Sequence, residues 1–276
     1  MSALAATLPA HRAAAHLGTR DLAIAYTVRG RRQMVLQGVG LDIARGAFVS
    51  LIGASGCGKS TLLKVFAGLI QPTTGTVEVA GVSPQEAVRK RLVGLVFQDA
   101  NLLPWKTALG NAAFLLEIAD RSLGRKAVRE RAAEMLELVG LRGAADKLPR
   151  QLSGGMQQRV AIARALTLDP EILLMDEPFG ALDAITREEM SHSLLEIWER
   201  TKKTIVLVTH SINEAVLLST EVHVMGLRPA RIVETLRVEL PQPRGAESFR
   251  DPRFGALEAQ LRHLLLESHA HRRIAR

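Results

Sequence analysis

Apolar runs closed by glycine, proline or acidic residues punctuate the first hundred positions. LAIAYTV at 22–28, MVLQGVGLDI at 34–43 and AFVSLIG at 47–53 predict strands. The last shows no polar alternation and ends in glycine, as a strand buried on both faces does on entering a loop. At Lys59 the period switches to helical, in KSTLLKVFAGL, and Gly68 marks its end. TVEVA at 76–80 alternates like a strand, and VGLVF at 93–97 reads as another buried one.

From about 107 to 168 helical periods dominate, as in AVRERAAEMLELVGL, and strand patterns are absent. Buried strands return in EILLMDEP at 171–178 and TIVLVTH at 204–210, separated by a helix near 186–200. EVHVMG and RIVETLRVEL predict late strands, and PQPRG at 241–245 a linker or turn. The final segment spaces Phe254, Leu257, Leu261 and Leu264 as an amphipathic helix. This pattern predicts an α/β core interrupted by a helical subdomain at 99–168. The expected division is a mobile tail at 1–18, a main domain at 19–240, and a linker, helix and basic tail at 241–276.

Composition narrows the class. Cys57 is the only cysteine, which excludes a disulfide-stapled fold and suits a reducing compartment. No apolar run approaches the roughly 18 residues that cross a bilayer. The N-terminus lacks the basic start and sustained apolar stretch of a signal peptide, so a cytosolic location is expected. A net charge of +8 first suggests nucleic acid or an acidic membrane. Its distribution weakens the first idea. Residues 1–32 carry five arginines against one aspartate, and 268–276 carry three arginines and no acid. The body between them is nearly balanced.

The chemistry concentrates at strand ends. GASGCGKS at 53–60 fits G-x-x-x-x-G-K-[ST], with a strand before it and a helix after it. Gly53, Ala54, Ser55, Gly56, Cys57 and Gly58 would turn backbone N–H groups around phosphate oxygens, and the helix would offer them its positive end. Lys59 would reach the β- and γ-phosphates, Ser60 would ligate Mg²⁺, and Thr61 would add a hydroxyl on the α-phosphate side. Cys57 is expected to be a small residue filling a variable loop position; the alternative is that the helix N-terminus lowers its thiol pKa and that nucleotide shields it from alkylation. Asp176 closes an apolar strand and is a Mg²⁺ ligand candidate; Glu177 is placed to orient or deprotonate a water. His210 ends another buried strand and is expected near the γ-phosphate.

LSGGMQQR at 152–159 supplies a second helix start, capped by Ser153 and loosened by Gly154 and Gly155. With the preceding motifs it resembles the signature of ATP-binding cassette (ABC) proteins. The resemblance spans roughly 20–240: Tyr26, the loop at 53–60, Gln98, the signature, 172–177, GALD at 180–183, and His210, in that order. It implies a P-loop NTPase fold with a mixed sheet, an antiparallel β subdomain and a helical signature subdomain. It further implies that Tyr26 stacks on adenine and that Gln98 senses Mg²⁺ and the attacking water. Ser153 and Gly155 would contact the γ-phosphate of ATP held by a second copy, and Asp183 would communicate across that dimer. The signature commonly ends in glutamine where this chain has Met156, which leaves the phosphate-contacting positions intact.

DANLLPWKT at 99–107, EPFGALDAITREEM and LRPARIVETLRVELPQPR resemble ATPases of the nitrate, sulfonate and taurine importer group. This implies a homodimer on the cytoplasmic face of the plasma membrane, hydrolysing ATP with Mg²⁺. Permease subunits would dock near Gln98–Trp105, and a periplasmic or lipid-anchored solute-binding protein would act indirectly. A thiamine-precursor importer is the nearest alternative. A nucleic-acid ABC ATPase is opposed by the absence of a long heptad insertion, a single cassette and an aromatic content of 4%. A metabolic P-loop kinase leaves the signature and His210 unexplained.

Overall fold

The computed structural model describes residues 15–227 and 229–274. The chain opens with a hairpin of β1 (Leu17–Val28) and β2 (Arg31–Ile43). Arg29 and Gly30 both take positive φ, 51° and 76°, the conformation a two-residue turn needs to match strand twist. β4 (Thr74–Val79) pairs with β1 on its other side, giving a three-stranded antiparallel sheet in the order β2-β1-β4.

The second sheet has six strands in the order β5-β6-β7-β3-β8-β9. These are β3 (Phe48–Gly53), β5 (Val93–Val96), β6 (Ile172–Asp176), β7 (Thr204–Val208), β8 (Glu221–Met225) and β9 (Ile232–Arg237). β9 runs antiparallel to β8, and the other pairings are parallel. β3 and β7 are buried along their whole length, which is why their sequences are unbroken apolar runs. Each face of this sheet serves a different core. Val49, Leu51, Ile172, Leu174 and Val206 pack with Leu62 and Phe66 of α1 (Lys59–Phe66) and with Ile24 and Leu36 of the antiparallel sheet. Phe48, Leu173, Met175 and Leu207 face the other way, toward the longer helices.

Between β4 and β5 lies α2 (Pro84–Arg89), capped by Ser83. The expected helical region holds α3 (Ala108–Ala119), α4 (Arg125–Leu138) and α5 (Gly154–Leu166), with two short 3₁₀ turns. Residues 99–107 are a loop ahead of it. α6 (Ala184–Thr201), α7 (Ile212–Leu218) and α8 (Pro252–Ile274) complete the fold.

Two expected boundaries move. The tail predicted over 1–18 does not reach Gly18, because β1 starts at Leu17. His16 is already buried: its Nδ1 lies 2.7 Å from Thr204 Oγ1 and its Nε2 3.1 Å from Glu171 Oε2. An alanine-rich composition conceals that Leu17 is the strand's first inward position. Residues 1–14 lie outside the described residues. At the other end, helix α8 continues through Ile274, so backbone expected as a basic tail is helical there. The side chains of Arg272 and Arg273, and Arg276 altogether, lie outside the described residues.

Arg244 fixes the C-terminal extension to the body. Its Nη1 donates to Ser219 O at 2.5 Å and Leu217 O at 3.3 Å, and its Nη2 to Val238 O at 2.9 Å. These carbonyls include the exit of α7, where a cation is favoured. Burial holds this guanidinium's pKa down at about 10, still far above neutrality. Phe254 and Leu261 of α8 then complete the core beside it. Arg244→Met is expected to destabilise the chain by about 3 kcal/mol, because buried carbonyls lose a charged donor. Urea unfolding midpoints measured on both forms check this.

Candidate active site

The loop after β3 enters α1 at Gly58, whose φ of +110° excludes most side chains. A Cβ there would also meet Leu36 Cδ2 at 2.7 Å. α1 has no capping side chain, unlike α2, α3, α5, α6 and α7, which Ser83, Thr107, Ser153, Asp183 and Ser211 cap. Its positive end therefore suits an external anion. Lys59 is buried, and its Nζ donates to Gly53 O at 2.8 Å and Ala54 O at 3.1 Å. The ammonium thus sits among the loop's own carbonyls, within the ring that its backbone describes.

Strand order brings the acids to this loop. β6, β7 and β3 are neighbours, so residues at their C-terminal ends converge. Ser60 Oγ donates to Asp176 Oδ1 at 2.8 Å. Glu177 follows in a left-handed conformation, φ 49°, and its N–H donates to Val208 O at 2.9 Å. His210 Nε2 lies 2.6 Å from Glu177 Oε1. Gly180 N–H donates to Glu177 O, and its α-carbon faces the Gln98 amide, which a Cβ would meet at 3.4 Å. Lys59, Ser60, Asp176, Glu177, His210 and Gln98 are therefore linked through successive contacts at one sheet edge.

The signature residues build a second cluster. Ser153 caps α5 by accepting from Met156 N–H at 3.3 Å. A Cβ on Gly155 would meet Thr186 Cγ2 at 2.5 Å, so only glycine lets α5 approach α6 this closely. Asp183 caps α6 through Thr186 N–H at 3.0 Å, and that bond holds its carboxyl below the usual range. Ser153, Gly154 and Asp183 are exposed, whereas Lys59 is buried. Tyr26 stands on β1, 40% exposed, opposite Gln33 of β2. Ser55 and Gly56 are exposed on the loop, and Thr61 is half-buried.

Cys57 fits the small-filler reading and corrects the alternative of an activated thiol. Its side chain is buried, and burial pushes the thiol pKa up, outweighing the opposing pull of Lys59. Position at a helix start was not enough to activate it, because the sulfur points into the core against Gly53. Cys57 is expected to react slowly with maleimide at pH 8 whether or not ATP is added, and fast only after unfolding. Mass-spectrometric labelling time courses measure this.

Several residues that support the site carry no motif. Gln158 Nε2 donates to Phe97 O at 3.0 Å, and Arg164 donates to Ala100 O and Asn101 O at 2.7 and 2.8 Å. The signature helix thereby grips the segment that holds Gln98. Thr209, Glu214 and Arg187 form a further network beside His210. Adjacency to the signature is a sequence signal for Gln158; the others needed the fold, since their bonds join distant segments.

A glycine loop running into an uncapped helix, an internal lysine, and a strand-end aspartate on the loop's serine define a P-loop nucleotide hydrolase. The family model for ABC transporters matches residues 36–180. The nitrate import ATP-binding protein NrtD of Synechococcus elongatus is 45% identical over 240 residues, 86% of this chain and 87% of that protein. The taurine import ATP-binding protein TauB of Pseudomonas aeruginosa is 42% identical over 264 residues, covering 92% and 99% respectively. A solved dimeric ATP-binding cassette in a post-hydrolysis state, bound to ADP and Pi, superposes with a TM-score of 0.72 at 35% identity. That match covers 81% of this chain and 99% of the other. The chain belongs to the ABC transporter family, and it is an ATP-binding, ATP-hydrolysing subunit of that family.

Proposed function

We propose that this ATPase powers a solute importer of the nitrate, sulfonate and taurine group, working as a homodimer. The observation that carries the hydrolytic reading is the convergence of Ser60, Asp176, Glu177 and His210 at adjacent strand ends. Backbone N–H groups of 53–60 and Lys59 bind the phosphates, with Lys59 exchanging loop carbonyls for phosphate oxygens. Tyr26 offers its exposed ring to the adenine. Ser60 and Asp176 fit Mg²⁺: one hydroxyl and one carboxylate leave the remaining positions to phosphate and water, as that ion prefers. Bound there, Mg²⁺ neutralises charge on the phosphate oxygens.

Glu177 accepts a proton from the attacking water, Gln98 helps to orient that water, and His210 steadies both Glu177 and the γ-phosphate. Ser153 and Gly155 supply the other half of a site on a second copy, Gly155 through its backbone since it is buried beside the exposed Gly154, and the exposed Asp183 communicates across that dimer. Ile185, 74% exposed in the first turn of α6, adds an apolar contact suited to that partner. Trp105 is 72% exposed in the loop ahead of α3, with Phe97 also exposed nearby in sequence. An apolar surface here suits the docking of a permease helix, and it joins the segment that carries Gln98. Among the described residues no helix is long and apolar enough to cross a membrane, so attachment would run through such a surface. The solute itself is recognised elsewhere: names of relatives support nitrate, taurine or sulfonate, while selection among them lies outside the ATPase.

Glu177→Gln is expected to bind ATP and lose turnover by on the order of a hundredfold or more, accumulating a closed dimer. Lys59→Ala is expected to lose ATP binding instead. Fluorescent-ATP titration, ATPase assays and size-exclusion chromatography separate the two, and wild-type turnover in Glu177→Gln contradicts the assignment. Trp105→Ser is expected to leave the isolated ATPase intact but weaken stimulation by reconstituted permease.

A further inference from the structure

His210 follows a buried strand, yet its own side chain is exposed and meets only Glu177 among the ion pairs described. What orients it lies on either side in sequence. Thr209 is buried, and its N–H donates to Leu51 O of β3 at 3.2 Å. Its hydroxyl donates to Glu214 Oε2 at 2.5 Å and accepts from Ser211 N–H at 3.0 Å. Ser211 caps α7 by accepting from Glu214 N–H at 3.2 Å. Both neighbours of His210 are thus tied to one buried glutamate in the first turn of α7.

The same glutamate faces the loop before α6. Glu214 Oε1 lies 3.8 Å from Arg187 Nε, and Arg187 Nη2 donates to Leu182 O at 3.0 Å. Leu182 precedes Asp183, and a Cβ on Gly154 would touch its side chain. Arg187 Nε is buried with no hydrogen-bond partner in this conformation. An open pocket of about 410 Å³ beside the pair is lined in part by Arg187, Glu214, Ser211 and Phe249. Burial raises the Glu214 pKa, against the opposing effects of Thr209 and Arg187, while the Arg187 side chain stays partly exposed.

We propose that Glu214 is a positioning residue. Through Thr209 it fixes the turn that aims His210 at Glu177, and through Arg187 it ties that aim to the loop carrying Asp183. A second copy pressing on Asp183 would then be felt at His210 of the same chain. This rests on the reading of His210 and Glu177 as hydrolytic residues, and its test separates the two ideas.

The experiment measures kcat and KM for ATP on the full chain. The variants are Thr209→Val, Glu214→Gln, Arg187→Met, His210→Ala, and His210→Ala with Glu214→Gln. Thr209→Val and Glu214→Gln are expected to lower kcat on the order of tenfold, since a misaimed group loses rate steeply with small displacements. KM should stay within about twofold, because the phosphate loop, Lys59 and Tyr26, which supply most of the ATP contacts, are untouched. Arg187→Met should lower kcat in the same way. The decisive comparison is the double variant, which should turn over no more slowly than His210→Ala alone, because Glu214 acts through that histidine. Losses that multiply in the double variant, or wild-type kcat in both Thr209→Val and Glu214→Gln, overturn the proposal while leaving His210 in place. Wild-type turnover in His210→Ala overturns the underlying reading instead. Should Glu214→Gln fail to fold, Thr209→Val, a nearly isosteric change, is combined with His210→Ala to make the same comparison.

Discussion

Everything at this site depends on a sheet covered on both faces. β3, β6 and β7 lie side by side between two cores, so their interiors admit little besides apolar side chains. Polar chemistry is pushed to where the strands end, and parallel pairing puts those ends on one edge. Gly53, Asp176 and Thr209 with His210 arrive there from segments more than a hundred residues apart in places. A glycine loop, a carboxylate that accepts from its serine and a histidine meet because three strands share direction and neighbours.

The helices on either face add a second level of order. α5 reaches back through Gln158 and Arg164 to the loop that carries Gln98. α6 and α5 touch where Gly155 leaves space for Thr186. The signature helix and the segment that runs from Gln98 toward Trp105 are therefore connected by specific bonds.

Much of this was legible in the residues. The run ILLMD could only be a buried strand, and glycines at 53 and 58 around Lys59 required a loop that wraps an anion. The order of motifs carried the family, and the helical stretch after 107 carried the subdomain. Other features were hidden for physical reasons. His16 looks like part of an alanine-rich leader, and only its bonds to Thr204 and Glu171 show it inside. An activated Cys57 stayed open because a sequence shows proximity to a helix start but not the direction of a side chain. Glu214 and Arg187 sit amid ordinary helical patterns, and their partnership is a product of how α6 packs on α7.

The backbone of Glu177 has a consequence for how such a protein can be improved. A glutamate held at φ 49° costs on the order of 1 kcal/mol or more relative to glycine, and asparagine tolerates the conformation better than glutamate does. Selection for heat resistance alone would favour those replacements at 177, and each would remove the carboxylate proposed to take the water's proton. The position therefore marks a conflict between durability and turnover, and a library screened only for survival on heating would drift toward a sturdier nucleotide binder that no longer hydrolyses.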